Sequence, residues 1–144
     1  MNEDPFNLNR FLTAQEETYT QALAELRRGE KESHWIWFIF PQIDGLGRSE
    51  TARRYALKSR AEAVAYLQHP VLGPRLIECA EALLQVHGKS ASDIMGYPDD
   101  LKLHSSATLF AAISKPGSLF HQLLTRYFQG KADQKTITLL NLPP

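Results

Sequence analysis

Residues 33–49 constrain the fold more than any other stretch. They read Ser33-His34-Trp35-Ile36-Trp37-Phe38-Ile39-Phe40-Pro41-Gln42, followed by Ile43, Asp44, Gly45, Leu46, Gly47, Arg48 and Ser49. Both tryptophans of the chain fall in this block. Each large apolar side chain left in water forgoes roughly 1.5–3 kcal/mol, so a block this dense has to be buried. The character then inverts into a basic turn containing two glycines, with Ser49 placed to cap a following helix. Strand and helix compete for the aromatic block. A strand needs a partner for its backbone groups, and no second convincing strand is present. The block is therefore expected to be a short buried helix ended by Pro41, because the residue before proline avoids helical geometry.

The remaining punctuation is helical. Apolar residues at three- and four-residue steps predict a first helix over residues 10–28, capped by Asn7 or Asn9 and stopped by Gly29. Ser33 is a candidate cap for the aromatic block. Further helices are expected over residues 50–57, 59–67, 72–86, a short turn after Ser90, 99–114, 119–128 and 133–140. Ser59 with Glu62 has the form of a capping box, and Pro74 is tolerable only in a first turn. The expected fold is mainly α: one compact domain, residues 1–144, of many short helices around a buried aromatic segment.

Composition narrows the function classes. Lys plus Arg and Asp plus Glu balance at 16 each, so no global field gathers nucleic acid or anionic membrane. The single cysteine, Cys79, excludes an intramolecular disulfide and a Cys-rich metal site. It is expected to be a small buried residue. The five histidines lack His-x-x-x-His and Glu-x-x-His spacing, so neither metal nor cofactor is expected. No apolar run reaches the ~20 residues a bilayer demands, and the acidic start differs from a signal peptide. The expected address is cytoplasmic. The oligomeric state is left open.

Two clusters carry possible chemistry. The first is the glycine turn, Gly45, Gly47, Arg48 and Ser49, with Gln42 before it and Arg53 and Arg54 after it. Read as a ligand site, it is a basic loop at a helix start that holds a phosphate. Read as structure, it is a turn. It matches neither the P-loop nor the dinucleotide fingerprint. Trp35 and Trp37 are either core or contacts to a base or ribose. His34 is either a satisfied structural histidine or a proton-transfer group. The second cluster runs from Asp99 to Ser106. On a helix Asp99, Lys102 and Ser106 share one stripe, amid apolar positions that bury most of the remaining surface. A buried lysine there needs a carboxylate partner. The alternatives are a solvated seam and a pocket-lining seam of Asp99, Asp100, Lys102, Ser105 and Ser106. Carboxylate acid/base candidates are Asp99, Asp100, Glu16 and Asp133.

These motifs resemble a known family. Arg10-Phe11 with Ala14-Gln15, Lys31 through Ser49, His69-Pro70-Val71-Leu72-Gly73-Pro74-Arg75-Leu76, Lys102 with Ser105-Ser106 and Thr108-Leu109-Phe110, and Gly130 with Asp133 and Thr136 are similar to the bacterial domain-of-unknown-function family numbered eighteen-ten. The resemblance spans nearly the whole chain and implies a small, mainly helical, single-domain protein. It implies no activity. The family pattern has Arg where this chain has His104 and Met where it has Ala107, so base chemistry by His104 is not implied. A partial similarity, carried by Trp37 to Arg54, points to the NADAR superfamily, although in that group the element sits late in the chain. Members of that superfamily include N-glycosidases of ribosylated or ADP-ribosylated substrates.

Three functions follow as expectations. One is cleavage of an N-glycosidic bond in a phosphorylated ribosyl or ADP-ribosyl compound. Gly45, Gly47, Arg48 and Ser49 would hold phosphate, Trp35 or Trp37 would touch base or ribose, and Asp99 or Asp100 would assist water. The others are a non-catalytic nucleotide- or phosphate-binding module and a protein-interaction domain.

Overall fold

The computed structural model describes residues 3–141. Among the described residues ten helices follow one another: α1 Asn9–Gln15, α2 Tyr19–Arg28, α3 Ile36–Ile39, α4 Glu50–Tyr55, α5 Arg60–Gln68, α6 Leu72–Leu84, α7 Ala91–Met95, α8 Asp99–Ala112, α9 Leu119–Phe128 and α10 Gln134–Leu140. The one extended pairing among the described residues is an isolated parallel bridge between Ile43 and Leu57. The fold is mainly α, and a buried aromatic segment lies at its centre.

The aromatic block does form a short helix, α3, that stops at Phe40 ahead of Pro41. Trp35, Ile36, Ile39 and Phe40 are buried in the central core beside Phe11, Tyr66 and Phe110. Helix α8 is the axle. It packs against α3, α5, α7, α9 and α10, and Leu103 and residues 105–111 are all buried. Cys79 is free and buried, and burial pushes its thiol pKa up to about 12.

Most stop and cap signals act as written. Ser49, Ser59, Ser90, Ser118 and Asp133 each accept a backbone N–H in the first turn of the following helix. Ser90 and Asp93 close a full reciprocal capping box. At Ser59 only half of the box forms, because Glu62 accepts the Lys58 N–H and an ion pair from Arg10 at 2.8 Å.

The first predicted helix is corrected: residues 10–28 are two helices, broken at residues 16–18. Gln15 explains the break. It is buried, and its amide donates to the Phe38 carbonyl at 2.7 Å while its carbonyl accepts from Arg75. A straight helix has a single apolar face, whereas here α1 packs on α3 and α2 on α6. The cap is also different. Asp4, not Asn7 or Asn9, accepts the Leu8 and Asn9 N–H groups, at 2.7 and 2.9 Å.

Ser33 does not cap α3; its hydroxyl turns to Glu25. The Glu25 carboxylate is 1% exposed and gathers the Glu32 N–H, the Ser33 N–H and hydroxyl, the Trp35 indole N–H and the Gln21 amide. Burial by itself would raise its pKa. The Ser33 hydroxyl, the two backbone N–H groups and the indole outweigh that and hold it at about 2, below its ordinary 4.5. A depressed carboxylate stabilises the fold above its unfolded pKa, and the contribution is lost as pH falls through the folded value. The shift corresponds to about 3 kcal/mol. Urea midpoints should therefore be steady above pH 5 and fall steeply from pH 4.5 towards 2. Glu25→Gln should lower the neutral-pH midpoint and flatten that acid limb. An unchanged limb would remove Glu25 from its control.

Candidate functional site

The turn after Pro41 folds back so that Ile43 bridges Leu57, with the Asp44 N–H on the Leu57 carbonyl and the Leu57 N–H on the Gln42 carbonyl, both at 2.8 Å. That closes residues 44–56 into a loop carrying α4. Gly47 lies so close to α4 that a Cβ there would meet the Ala52 Cβ at 2.4 Å. Glycine at 47 is thus a packing requirement. Ser49 has the capping role, accepting the Ala52 N–H at 3.0 Å.

Opposite this loop stands the first half of α8, and between them opens a cleft of about 400 Å³. Gln42, Leu46 and Gly47 come from the loop, Pro98, Leu101, Lys102, His104 and Ser105 from the start of α8, and Asp133, Gln134 and Lys135 from the start of α10. The two clusters separate in sequence therefore share one site. Gln42 joins them directly, its amide donating to the Ser105 hydroxyl at 2.6 Å, while that hydroxyl donates to the Lys102 carbonyl at 3.1 Å. With the hydroxyl proton so used, Gln42 must present its NH2 to Ser105, which leaves its carbonyl oxygen for the cleft.

Lys102 is held from two sides. Its ammonium lies 4.8 Å from the Trp37 ring centroid and 3.4 Å from Asp99 Oδ1. Asp99 Oδ2 pairs at 2.7 Å with Lys31, itself 5% exposed and lying over the Trp35 ring. The carboxylate expected beside a buried lysine is thus Asp99, and it serves two lysines. His104 stacks on Phe128 with centroids 4.2 Å apart, and its Nε2 is 2.7 Å from the Lys131 carbonyl. A carbonyl only accepts, so Nε2 carries the proton and Nδ1 is the nitrogen left for other work. Asp133 accepts the Thr136 N–H and hydroxyl, both on Oδ2.

Several expected site residues lie elsewhere. Trp35 is fully buried with its indole on Glu25, so no ligand reaches it. Its partner Trp37 lines a small void beside Gly45, Gly47 and Ala52. Of the expected catalytic groups, Asp99 stands behind Lys102, and Asp100 sits in the first turn of α8 with Oδ1 buried and unbonded. His34 is exposed. None of these three lines the cleft. Ser106 is 1% exposed and its hydroxyl has no partner in the described structure, so the seam reaches the cleft at Ser105 instead. Gly45 and Arg48 line a neighbouring cavity with Gln134, Lys135, Thr138 and Leu139. The α10 contribution of Gln134 and Lys135 was missed. Only Asp133, a visible cap, could have drawn attention to it. Among the described residues, no group of three His, Cys, Asp or Glu is placed to hold a metal ion, and no helix is long and apolar enough to cross a membrane.

This is the architecture of a small helical domain with a composite cleft. The chain belongs to the family described as protein of unknown function (DUF1810), whose model matches residues 5–140. Among solved structures it is similar to the conserved hypothetical protein Rv1873 from Mycobacterium tuberculosis, at 50% identity and a TM-score of 0.95, over 97% of this chain and 100% of that one. No curated protein matches. The NADAR similarity is not among what these comparisons show.

The tight Gly47–Ala52 approach is testable by a mutant cycle. Gly47→Ala should destabilise by about 1–3 kcal/mol through overpacking. Adding Ala52→Gly should recover part of that despite its own helix cost of about 1 kcal/mol. Additive losses in chemical denaturation would mean that the two residues do not press on each other.

Proposed function

We propose that the cleft binds a phosphorylated ribosyl compound and hydrolyses its N-glycosidic bond. The observation that carries this reading is the convergence, in one cavity of ligand size, of Lys102, Lys135, Gln42 and Ser105 with one carboxylate, Asp133. The lysines supply charge for phosphate, and Lys102 is pre-positioned by Trp37 and Asp99. The Gln42 carbonyl oxygen and the Ser105 hydroxyl suit sugar hydroxyls. Leu46, Pro98 and Leu101 give an apolar wall.

Asp133 takes the part that the sequence suggested for Asp99 or Asp100. Both hydrogen bonds of its helix cap fall on Oδ2, which leaves Oδ1 to orient a water. In the reaction, the water oxygen bonds to the anomeric carbon as the carbon–nitrogen bond breaks. Asp133 accepts the water proton, and the departing nitrogen keeps the bonding pair and is protonated by solvent water. Asp99, neutralised by two lysines, acts as a positioning residue for Lys102.

A melting screen with ribose 5-phosphate and ADP-ribose reads binding, since a ligand at 100 times its Kd adds about 2.7 kcal/mol. Lys102→Ala should abolish the shift. Asp133→Asn keeps a good helix cap and should leave the shift while eliminating release of base or nicotinamide from a cognate substrate. Binding without any turnover in the native chain would favour a sensor module. No shift with either compound would end the reading.

A further inference from the structure

The cleft does not stand alone. The second cavity, about 460 Å³, shares Leu46, Gln134 and Lys135 with the first, so the two are lobes of one groove running along the start of α10. Resting on the reading above, we infer that the groove is a two-lobed site for a diphosphate-bridged nucleotide, the ribosyl end in the first lobe and the nucleoside end in the second.

Charge runs along the groove in the order such a ligand needs. Lys102 belongs to the first lobe, Lys135 to the shared wall and Arg48 to the second lobe, against the single carboxylate Asp133. A pentose monophosphate would occupy Lys102 and Lys135 and leave Arg48 unused. Arg48 is exposed and takes part in none of the ion pairs formed among the described residues. Its planar fork matches a phosphate bidentately, whereas lysine acts as a point charge. Arg53 and Arg54 on α4 are likewise exposed and outside those ion pairs.

The second lobe also has apolar lining. Leu46 and Leu139 line it, and Gly45, at φ +106°, brings its backbone within reach of Leu139: a Cβ there would sit 3.1 Å from the Leu139 Cδ2. Apolar side chains beside an arginine are the chemistry that receives a nucleobase next to its phosphates. The diphosphate would then span Lys135 and Arg48, with the reacting ribose delivered towards Asp133.

Titration calorimetry of the native chain with ribose 5-phosphate, ADP and ADP-ribose tests this. ADP-ribose should bind at least tenfold tighter than ribose 5-phosphate. Arg48→Ala, at an exposed side chain with no protein partner, should fold normally, erase most of that advantage, and leave ribose 5-phosphate affinity within twofold. Lys102→Ala should weaken both ribose 5-phosphate and ADP-ribose. If ADP-ribose binds no tighter than ribose 5-phosphate, or Arg48→Ala weakens both alike, the two-lobed site is overturned while the first-lobe reading stands. If none of the three binds, both fall together.

Discussion

The structure depends on a carboxylate that has been taken out of water. Glu25 is charged and sealed, which is tolerable only because donors from Gln21, Glu32, Ser33 and Trp35 converge on it. Three of those four residues lie in the link between α2 and α3. Satisfying Glu25 therefore fixes the path by which the aromatic block enters the core. The fixed link also carries Lys31, which bonds the Ser33 carbonyl, covers the Trp35 ring and reaches Asp99 across the core. Asp99 in turn holds Lys102 over Trp37. One buried charge thus orders a relay of alternating charges ending at the cleft.

That relay gives the cleft rigidity without a sheet. In a parallel α/β protein, ligand sites are held at strand ends by a hydrogen-bonded ladder. Here the same service comes from one isolated bridge, the Gln42–Ser105 bond and a helix axle packed on several sides. Two walls of the groove begin at capped helix starts, whereas α8 supplies its side chains from the buried axle. Ser49 and Asp133 are caps and, through the loops and helices they start, also set the walls of the groove.

Local signals were legible in the sequence because their physics is local. Serine, aspartate and glycine at helix ends act within three residues, and so the ends of α9 and α10 are written in the chain. The buried helical aromatic block was legible by elimination, since its alternative lacked a partner strand. The break between α1 and α2 was not. Its cause is Gln15, whose partners Phe38, Tyr66 and Arg75 are 23, 51 and 60 residues away. The same distance rule applies to the candidate site. Gln42 and Ser105 were both singled out as polar residues, but that they touch is a tertiary fact. Trp35 misled for a related reason: an indole N–H seeks an acceptor when buried, and the acceptor is Glu25, not a ligand.

His104 stands at the rim of the cleft in a closely defined setting. Its ring is sandwiched by position: Phe128 on one face, the Lys131 carbonyl at Nε2, and the cleft at its edge. An arginine in that place would keep the planar stack and the donor to the carbonyl, since a guanidinium stacks on aromatic rings and donates in its own plane. At the cleft edge the imidazole leaves Nδ1, where an arginine would present a fixed positive fork. The positive charge of the first lobe therefore rests on Lys102 and Lys135, and Lys102 is held in place through Asp99, the end of the relay that Glu25 orders.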